Sequence, residues 1–559
     1  MVSAKDLELK LQDLYKKKKY SEIIFQITSR TTEEERNAGL FVLLGISRMS
    51  LGLKDKNQVS LAVQDFKKGH LKEQNGVNGF NALTNFVLAS SILSDFENTN
   101  VDFDEIKSFY QVLQKPFRDK RAINIAMSTV HSRLCDYKGM VFHLEKIIKS
   151  KEFIAQDLCN YGYWRCFDKN WTQSKFLEFG QFVNENLSEY SQKDIVPLSD
   201  KKNEKIRVGF LSADINGSHS INYFLKTVLE NYDKKNFEII LFTNSLKDEK
   251  TAERITNLAS KTIDVGKLDN LRAFNTIREF NLDIMIDIMG YTSRNRIEFY
   301  KNRLARKQVI WMGYCNTSGL ENMDYIITDP NLIYENEKDL YSEKVIYLPE
   351  IWNCHCGFDF ERKENPPPFI NNKYFTFGSF NSFNKINPDV VNVWSNILKR
   401  VSKSKLVLKT SQKNHTLKRL KELFKRNNVL ESIEFTGRQE DLKNHLITYN
   451  GIDIALDTFP YNGVTTSFEA IWMGVPVITM AGYNFNSRCG ESINKNLNME
   501  RMVARDEDDY VDKVVNLSNN HDEYIKLRKS IFLDALKSPL FNVQNYSKSF
   551  FEALERIVN

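Results

Sequence analysis

Apolar residues in the first 198 positions recur at helical spacing. Leucine and aromatic side chains return every three or four residues, glycines are few, and Pro116 and Pro197 are the only prolines. The predicted helices fall into pairs, and the alternation of small and large apolar residues around Gly45 is typical of a degenerate tetratricopeptide repeat. Stacked pairs would form an extended concave surface for a partner polypeptide, and a plain helical bundle is the alternative interpretation.

From residue 199 to residue 365 the pattern changes to short apolar strands separated by mostly helical stretches. The change follows a polar linker at residues 198–203, and three consecutive prolines at 366–368 mark its end. Seven runs have the length and side-chain content of buried strands: 206–211, 237–242, 262–265, 282–288, 308–312, 325–328 and 345–348. This alternation predicts a doubly wound parallel sheet.

A second alternating set fills the rest of the chain. Its predicted strands lie at residues 374–376, 405–408, 432–435, 452–456 and 475–480, and residues 543–558 have the pattern of an amphipathic helix. The fold class that we predict is α/β, with two Rossmann-like domains behind an all-α domain. The predicted boundaries are 1–198 for the tetratricopeptide-like domain, 199–365 for the N-terminal Rossmann-like domain and 366–559 for the C-terminal one.

The stretch 452–480 predicts a β-α-β unit with a ligand site. Its helix starts directly after a Gly-containing turn beyond the end of a strand, and Gly474 falls where a helix end favours a positive φ. Ligands of open parallel sheets bind at this edge, and a helix N-terminus offers free N–H groups to an anion. The alternative is a capping box between Thr466 and Glu469 that has only a structural role.

Composition and charge limit the classes of function. The chain has 559 residues, a net charge of +6 from 78 basic and 72 acidic residues, and 42% hydrophobic residues. This balance argues weakly for anionic ligands and does not call for nucleic acid. The N-terminus has no signal-peptide pattern, no run is long enough to span a membrane, and seven cysteines make no disulfide framework. We therefore expect a cytoplasmic protein.

Four side chains stand where chemistry is expected. Lys385 precedes a helix at the end of a strand, where an ammonium group can meet a diphosphate. Glu469 lies in the first turn of the candidate phosphate helix, where a carboxylate is unfavourable unless it accepts the hydroxyl donors of a ribose. His219 follows the first strand of the first sheet and is placed for acid–base work or for polarising a group. His445 alone is more often structural than functional.

Three short strings suggest metal sites, and we reject them. Cys354, His355 and Cys356 are adjacent and cannot close a tetrahedral site without partners elsewhere. The Asp-x-Asp strings at residues 102–104 and 506–508 lie in the helical region and near the chain end, not after a central strand. We therefore predict no metal ligand.

Taken together, the motifs of residues 205–559 resemble glycosyltransferase family 41, the protein O-GlcNAc transferases and SPINDLY-type O-fucosyltransferases. The resemblance rests on RVGFLSAD followed by His219, DIMIDIMGYTSRNR (283–296), WMGYCNTSG with MDYIITD (311–329), YSEKVIYLPE (341–350), FNSFNKINP (380–388) and DTFPYNGVTTSFEAIWMGVPVITMAG (457–482). It implies a GT-B fold, which phosphorylases and nucleotide-sugar epimerases also use, so that the fold alone does not fix the activity. The helical front end is similar to the tetratricopeptide arm of that family.

The resemblance also implies a role for each residue of the diphosphate site. Lys385 matches the lysine that contacts the donor diphosphate, and Thr465 and Thr466 match the pair that donates to phosphate at the helix N-terminus. Ser382, which we include among the donor-binding residues, stands where the animal enzymes have a glutamine near the diphosphate.

The nucleoside and acceptor sides are implied in the same way. His445 matches the histidine beside the uracil ring, Glu469 stands at the acidic ribose ligand, and His219 matches the active-site histidine discussed as a base. The donor phosphate is the other candidate for accepting the proton. Two positions depart from the family pattern: Cys315 replaces a proline in the acceptor-side loop, and Val464 replaces a histidine or threonine ahead of the threonine pair.

We thus predict a metal-independent, inverting protein O-glycosyltransferase without a cofactor, in which UDP-GlcNAc is the donor substrate and Ser or Thr the acceptor. The acceptor protein would bind along the helical arm and the cleft between the Rossmann-like domains. An O-fucosyltransferase or a protein N-glucosyltransferase of the same fold remains open. So do a non-catalytic repeat scaffold with a vestigial transferase body and a nucleotide-sugar epimerase.

Overall fold

The computed structural model describes residues 4–96, 99, 101–199, 201–215, 219–244, 249–363, 365–410, 414–437, 439 and 441–559. The chain forms two compact units, one of residues 1–153 and 410–423, the other of residues 154–409 and 424–559.

The first unit is helical. Its helices are α1 (Ala4–Lys16), α2 (Tyr20–Arg30), α3 (Ala38–Gly52), α4 (Lys56–Lys72), α5 (Val77–Leu93), α6 (Phe103–Val112), α7 (Lys115–Arg118), α8 (Arg121–Arg133) and α9 (Tyr137–Ser150). Leucine, isoleucine and phenylalanine side chains on the facing sides of α1–α3 and of α4–α8 form two buried clusters. The all-helical prediction for this region is therefore correct. Asp102 of the rejected Asp-x-Asp string caps α6, because its carboxylate accepts from the amides of Asp104 and Glu105.

The second unit begins with one more helical pair, α10 (Ala155–Arg165) and α11 (Gln173–Asn186). Both helices pack closely on the first sheet region that follows them. A Cβ on Gly162 would lie 2.6 Å from the ring of Tyr291, and one on Gly180 would lie 2.6 Å from the backbone of Gly319. Glycine at these two positions permits the close approach.

A parallel seven-stranded sheet comes next, and we call it with its helices the first lobe. Its strands are β1 (Ile206–Ser212), β2 (Phe237–Thr243), β3 (Lys261–Asp264), β4 (Ile284–Asp287), β5 (Lys307–Ile310), β6 (Tyr325–Thr328) and β7 (Lys344–Tyr347). The helices of the lobe are α12 (Ile221–Glu230), α13 (Glu249–Thr256) and α14 (Asn270–Arg278). The strand order is β3-β2-β1-β4-β5-β6-β7, the order of a Rossmann-type sheet.

A parallel six-stranded sheet forms the second lobe. Its strands are β8 (Thr376–Ser379), β9 (Lys405–Lys409), β10 (Ile433–Thr436), β11 (Ile454–Leu456), β12 (Val477–Met480) and β13 (Val503–Ala504). The remaining helices are α15 (Pro368–Asn372), α16 (Pro388–Arg400), α17 (Asn414–Arg426), α18 (Leu442–Thr448), α19 (Thr465–Trp472), α20 (Phe485–Lys495), α21 (Glu507–Asn519), α22 (His521–Lys537) and α23 (Val543–Val558). The order β10-β9-β8-β11-β12-β13 repeats the topology of the first six strands of the first lobe.

The prediction of two Rossmann-like domains is confirmed. Each predicted strand overlaps an observed one, although the predicted run 374–376 shares only Thr376 with β8. β13 was not predicted, because it is two residues long and gives no periodic signal. The amphipathic tail helix is present as α23. It returns to the first lobe, where Phe550 packs at 4.7 Å from Trp311 and the Tyr546 hydroxyl donates to the Trp352 carbonyl. Among the described residues, no helix is both long and apolar enough to cross a membrane.

Candidate functional site

The candidate site lies where β8 and β11 end side by side. These two strands are neighbours in the second sheet. β9 and β10 extend the sheet on the side of β8, and β12 and β13 extend it on the side of β11, so the strand order reverses at this point. Segments that leave the carboxyl ends of such strands diverge and open a crevice for ligands. The segment after β8 contains Ser382 and Lys385, and the segment after β11 leads into α19 through Thr465 and Thr466. The topology therefore brings together the predicted diphosphate residues.

Lys385 is held from two directions. Its Nζ donates to the Asn462 carbonyl at 2.7 Å and lies 4.6 Å from the centre of the Tyr461 ring. Burial lowers the pKa of Lys385, and the nearby Asp457 carboxylate opposes that shift. An ammonium group fixed beside the turn before α19 is preorganised to meet an anion there.

Asp457, which the motifs contain but to which we assigned no role, organises the turn before α19. Its carboxylate accepts from the amides of Thr458 and Gly463 at 2.8 and 2.7 Å and from the Thr479 hydroxyl at 2.8 Å. Burial raises its pKa to about 6, while these hydrogen bonds and Lys385 favour the charged form. The turn that carries the N-terminus of α19 is thus tied to the strand ends.

The N-terminus of α19 is open at the crevice. The amides of Ser467 and Phe468 donate to the Val464 carbonyl, so the amides of Thr465 and Thr466 precede the first hydrogen-bonded turn. The Thr466 hydroxyl donates to Asn381 Oδ1 at 3.1 Å. The capping-box interpretation is wrong, because the helix starts at Thr465 after an N-cap residue that makes no side-chain cap.

Glu469 instead points toward α18. Its Oε2 accepts from the Tyr449 hydroxyl at 2.9 Å and lies 3.0 Å from His445 Nε2. Lys409 Nζ lies 3.4 Å from His445 Nδ1 and 3.5 Å from His445 Nε2, so it contacts the same edge of the ring as both nitrogens. A carboxylate only accepts hydrogen bonds, so the nitrogen that faces Glu469 is the donor of that contact. The structure therefore brings His445 and Glu469 together and adds Tyr449 and Lys409.

Ser382 and His219 are the two remaining predicted site residues. Ser382 is exposed, and its carbonyl accepts from the Lys385 amide. His219 belongs to the first lobe and is half-exposed; its Nδ1 accepts from the Ile221 amide at 3.3 Å, and its Nε2 lies 3.8 Å from Asp214. Asp214 pairs in turn with Arg294 at 2.8 Å. Residues 216–218 of the motif that leads to His219 lie outside the described residues.

The middle residue of the Cys354–Cys356 string, His355, packs in the protein interior. His355 is fully buried among aromatic rings, with Tyr223 stacked on it at 4.7 Å and Phe358 at 4.4 Å. Its Nδ1 accepts from the Gly357 amide, and burial lowers its pKa to about 3. In the part of the chain that the structure describes, no group of three or more His, Cys, Asp or Glu side chains could hold a metal ion.

Sequence reasoning missed three polar residues of this site: Lys409, Tyr449 and Asp457. Each stands singly in an ordinary helix, turn or strand end, and only the fold brings it to the crevice. Asp457 had a usable signal, because an acidic residue directly after a buried strand and before a Pro- and Gly-containing turn commonly accepts the turn's amides.

Comparison with known proteins identifies the family of this chain. The family model described as Glycosyl transferase family 41 matches residues 185–356 and 369–550. Two relatives are proteins described as probable UDP-N-acetylglucosamine–peptide N-acetylglucosaminyltransferase SPINDLY. The one from Solanum lycopersicum is 32% identical over 353 residues, 61% of this chain and 37% of the relative. The one from Eustoma exaltatum subsp. russellianum is 34% identical over 344 residues, 60% of this chain and 37% of the relative.

The chain thus spans less than two-fifths of the length of these curated relatives. Among solved structures, a mutant of the Thermobaculum terrenum O-GlcNAc transferase superposes with a TM-score of 0.78 at 20% identity and covers 93% of this chain and 98% of its own. The likeness shows that the fold, a helical region followed by two Rossmann-like lobes, is the same. Since the family model covers more than half of its residues, the chain belongs to glycosyltransferase family 41.

Proposed function

We propose that the protein transfers GlcNAc from UDP-GlcNAc to Ser or Thr hydroxyl groups of other proteins, with inversion and without a metal ion. The observation that carries the proposal is the convergence of Lys385, Thr465, Thr466, His445 and Glu469 around the crevice between β8 and β11. The SPINDLY relatives, described as probable UDP-N-acetylglucosamine–peptide N-acetylglucosaminyltransferases, support this donor and a peptide acceptor.

The proposed donor orientation follows from charge. The diphosphate would meet the amides at the N-terminus of α19 and the ammonium of Lys385, since oriented N–H dipoles and a cation both stabilise departing negative charge. The ribose hydroxyls would donate to Glu469, and the base would lie beside His445. Ser382, exposed at the rim, would contact the diphosphate from the β8 side.

In the proposed transfer, the acceptor oxygen bonds to the anomeric carbon as the bond from that carbon to the diphosphate oxygen breaks. The hydroxyl proton then goes to the departing phosphate or to His219. The neutral His219 ring, with Nδ1 accepting from Ile221, carries its proton at Nε2 and is a hydrogen-bond donor in this conformer. That arrangement favours the phosphate as the base and gives His219 the role of orienting the reacting groups.

The rest of the chain has a proposed part in the reaction. We propose that residues 1–198 form a tetratricopeptide-like domain that presents the acceptor polypeptide, and that residues 199–365 and 366–559 are the two domains of a cytoplasmic transferase. Stacked helix pairs provide the extended surface that a polypeptide needs. No nucleic acid, membrane or cofactor takes part in this proposal.

The test is nucleotide release from a panel of UDP- and GDP-sugars in EDTA, with and without an acceptor lysate, for the wild type and Lys385→Ala. We expect release of UDP from UDP-GlcNAc that the lysate stimulates and that the variant loses. Release of GDP from GDP-fucose would change the donor. Production of free sugar or an isomer without lysate would favour an epimerase, and a folded wild type that releases no nucleotide would contradict a transferase.

A further inference from the structure

The helical pair that precedes the first lobe reaches the candidate diphosphate site. Phe167, two residues beyond the end of α10, stacks on Tyr461 with ring centres 4.7 Å apart and an interplanar angle of 21°. Tyr163, one helical turn earlier, also contacts Tyr461, with ring centres 6.2 Å apart. Tyr461 belongs to the turn before α19, so an aromatic contact joins this helical pair to the second lobe.

Tyr461 is also the ring on which Lys385 rests. The ammonium lies 4.6 Å from the ring centre, within the range of a cation–π contact. The Tyr461 ring therefore contacts both Phe167 and Lys385. The next residue, Asn462, accepts from the same ammonium through its carbonyl.

We infer that Tyr461 and Phe167 are positioning residues for Lys385: the supported ring holds the ammonium group beside the turn that leads into α19, where the diphosphate is proposed to bind. Lysine has a flexible four-carbon stem, and a cation that must meet a departing diphosphate has to be fixed before the reaction starts. This inference rests on the proposed function, because it concerns the lysine that is proposed to bind the donor. The support comes from the segment after α10, which precedes both lobes.

The aromatic contact is distinct from the contacts that anchor α10. Beyond the helix, the Cys166 carbonyl accepts from Asn486 Nδ2 at 3.2 Å and the Asp168 carbonyl accepts from the Tyr483 hydroxyl at 2.5 Å. Lys169 pairs with Asp389 at 2.8 Å and with Glu507 at 3.3 Å. The Phe167 ring also packs on Tyr163 and Trp164, with ring centres 5.7 and 4.9 Å away. Because the polar contacts do not use that ring, a Phe167→Leu variant keeps these anchors and a buried apolar side chain while it removes the ring that stacks on Tyr461.

The contact between the Tyr461 ring and the ammonium group also predicts how the pKa of Lys385 changes when the ring is removed. The titratable groups that face Lys385 are Asp457, Cys489 and Cys315, and burial already lowers the lysine's pKa. A cation–π contact stabilises the ammonium form. Removal of the ring therefore lowers the pKa of Lys385 further, and the affinity for an anion is lost at a lower pH than in the wild type.

The test combines two measurements on the full chain. Calorimetric titration with UDP across the alkaline range gives the affinity and its pH limit, and NMR of lysine labelled at Cε gives the pKa of Lys385, assigned from its absence in Lys385→Arg. The variants are Tyr461→Leu, Tyr461→Phe, Phe167→Leu and Phe176→Leu. Phe176 is a buried phenylalanine of α11 that packs near Trp171, so it is the matched control for the loss of a ring in this helical pair.

We expect UDP affinity to fall about tenfold in Tyr461→Leu and about threefold in Phe167→Leu, with a lower lysine pKa in Tyr461→Leu. Tyr461→Phe keeps the ring, so we expect the UDP affinity and the lysine pKa of the wild type. Phe176→Leu should also leave both quantities at their wild-type values. Equal pKa and affinity in Tyr461→Leu and wild type would overturn the inference, and so would an equal loss in Phe176→Leu and Phe167→Leu. A wild type that fails to bind UDP, with the pKa still lowered in Tyr461→Leu, would contradict the proposed donor and support the ring–lysine contact.

Discussion

At the residue scale, Glu469 shows how the proposed ribose site is prepared. One carboxylate oxygen receives both the Tyr449 hydroxyl and His445, and the side chain is nearly buried. A carboxylate held through one oxygen can offer the other to a ligand without first being ordered. Tyr449 thereby holds the Glu469 carboxylate in place, although no sequence pattern around Tyr449 indicates this.

Tyr449→Phe tests that role. Loss of one hydrogen bond to the carboxylate should weaken UDP binding about threefold to tenfold, since such a bond contributes roughly 1 kcal/mol. Tyr291→Phe is the control, because its buried hydroxyl donates to the Ser318 carbonyl in the first lobe. Isothermal titration of UDP into both variants makes the comparison. Similar affinities for the two would show that Tyr449 acts only on stability.

His355 gives a prediction about pH. Its pKa falls from 6.5 to about 3 in the folded protein because the buried ring cannot be solvated when charged. Below pH 6.5 the unfolded chain therefore binds a proton on this histidine that the folded chain does not bind. As the pH falls toward 3, this residue lowers the free energy of unfolding by about 1.4 kcal/mol per pH unit. His355→Phe should melt with a shallower dependence on pH in that window. A melting temperature that falls as steeply in the variant as in the wild type would refute this assignment.

Residue identities at the site were only partly predictable. Lys385, Thr465, Thr466 and Glu469 stand in distinctive motifs, whereas His445 stands in none of them and was identified only from the family resemblance. The structure joins Lys385 to the turn before α19 and His445 to Glu469 of that helix. Their individual roles remain proposals. Tyr449 and Lys409 could not be found from the sequence, since their importance comes from the packing of α18 and β9 beside α19.

At the element scale, the turn between β11 and α19 is the most constrained segment of the site. A Cβ on Gly463 would lie 2.4 Å from the Thr466 hydroxyl oxygen and 2.8 Å from Asn381 Oδ1. Real Cβ atoms do not approach this closely, so a side chain here must displace the groups that face the crevice. The glycine is therefore required by the turn and by the helix N-terminus that the turn positions.

Gly463→Ala should lower the affinity for UDP by about tenfold or more, because the displaced Thr466 and the shifted helix end no longer face the diphosphate together. Gly451→Ala is the control, since a Cβ there would meet no atom within 4 Å. Fluorescence or calorimetric binding of UDP separates the two. If both alanine variants bind UDP like the wild type, α19 does not provide the phosphate site.

The secondary-structure elements were predicted more completely than the residues of the site. Twelve of the thirteen strands follow from short apolar runs with turn residues at their ends, and the residues of α23 follow from a 3.6-residue period. Positive φ at Gly474 was also predicted, and the angle is 77°. The capping box was wrong because a Thr-x-x-Glu string does not reveal where the helix starts or what else the glutamate can reach.

At the scale of the whole molecule, α20 joins the two lobes. Arg488 of this helix forms a nearly buried pair with Glu337 of the first lobe, at 2.5 and 2.9 Å, and Ser492 donates to Asp329 at 2.6 Å. The Gly490 amide of the same helix donates to Asn462, which also accepts from Lys385. The contact between the lobes is thus continuous with the proposed diphosphate site, which no local sequence pattern could indicate.

Arg488→Leu should lower the free energy of unfolding by about 3 kcal/mol or more, because it leaves Glu337 without its buried partner. Arg400→Leu should have little effect, since Arg400 and Asp512 form an exposed pair. Chemical denaturation followed by tryptophan fluorescence compares the two. A loss in Arg400→Leu as large as in Arg488→Leu would mean that burial does not distinguish these pairs.

The most direct test of the central claim is transfer of radiolabelled GlcNAc from UDP-GlcNAc to the protein fraction of a lysate, in EDTA, by the wild type and Lys385→Ala. We predict label in protein with the wild type and not with the variant, and release of that label by alkaline β-elimination, as expected for sugar on Ser or Thr. Label that resists β-elimination would contradict the Ser/Thr acceptor. Absence of label with a folded wild type, or equal labelling by Lys385→Ala, would contradict the proposed donor site.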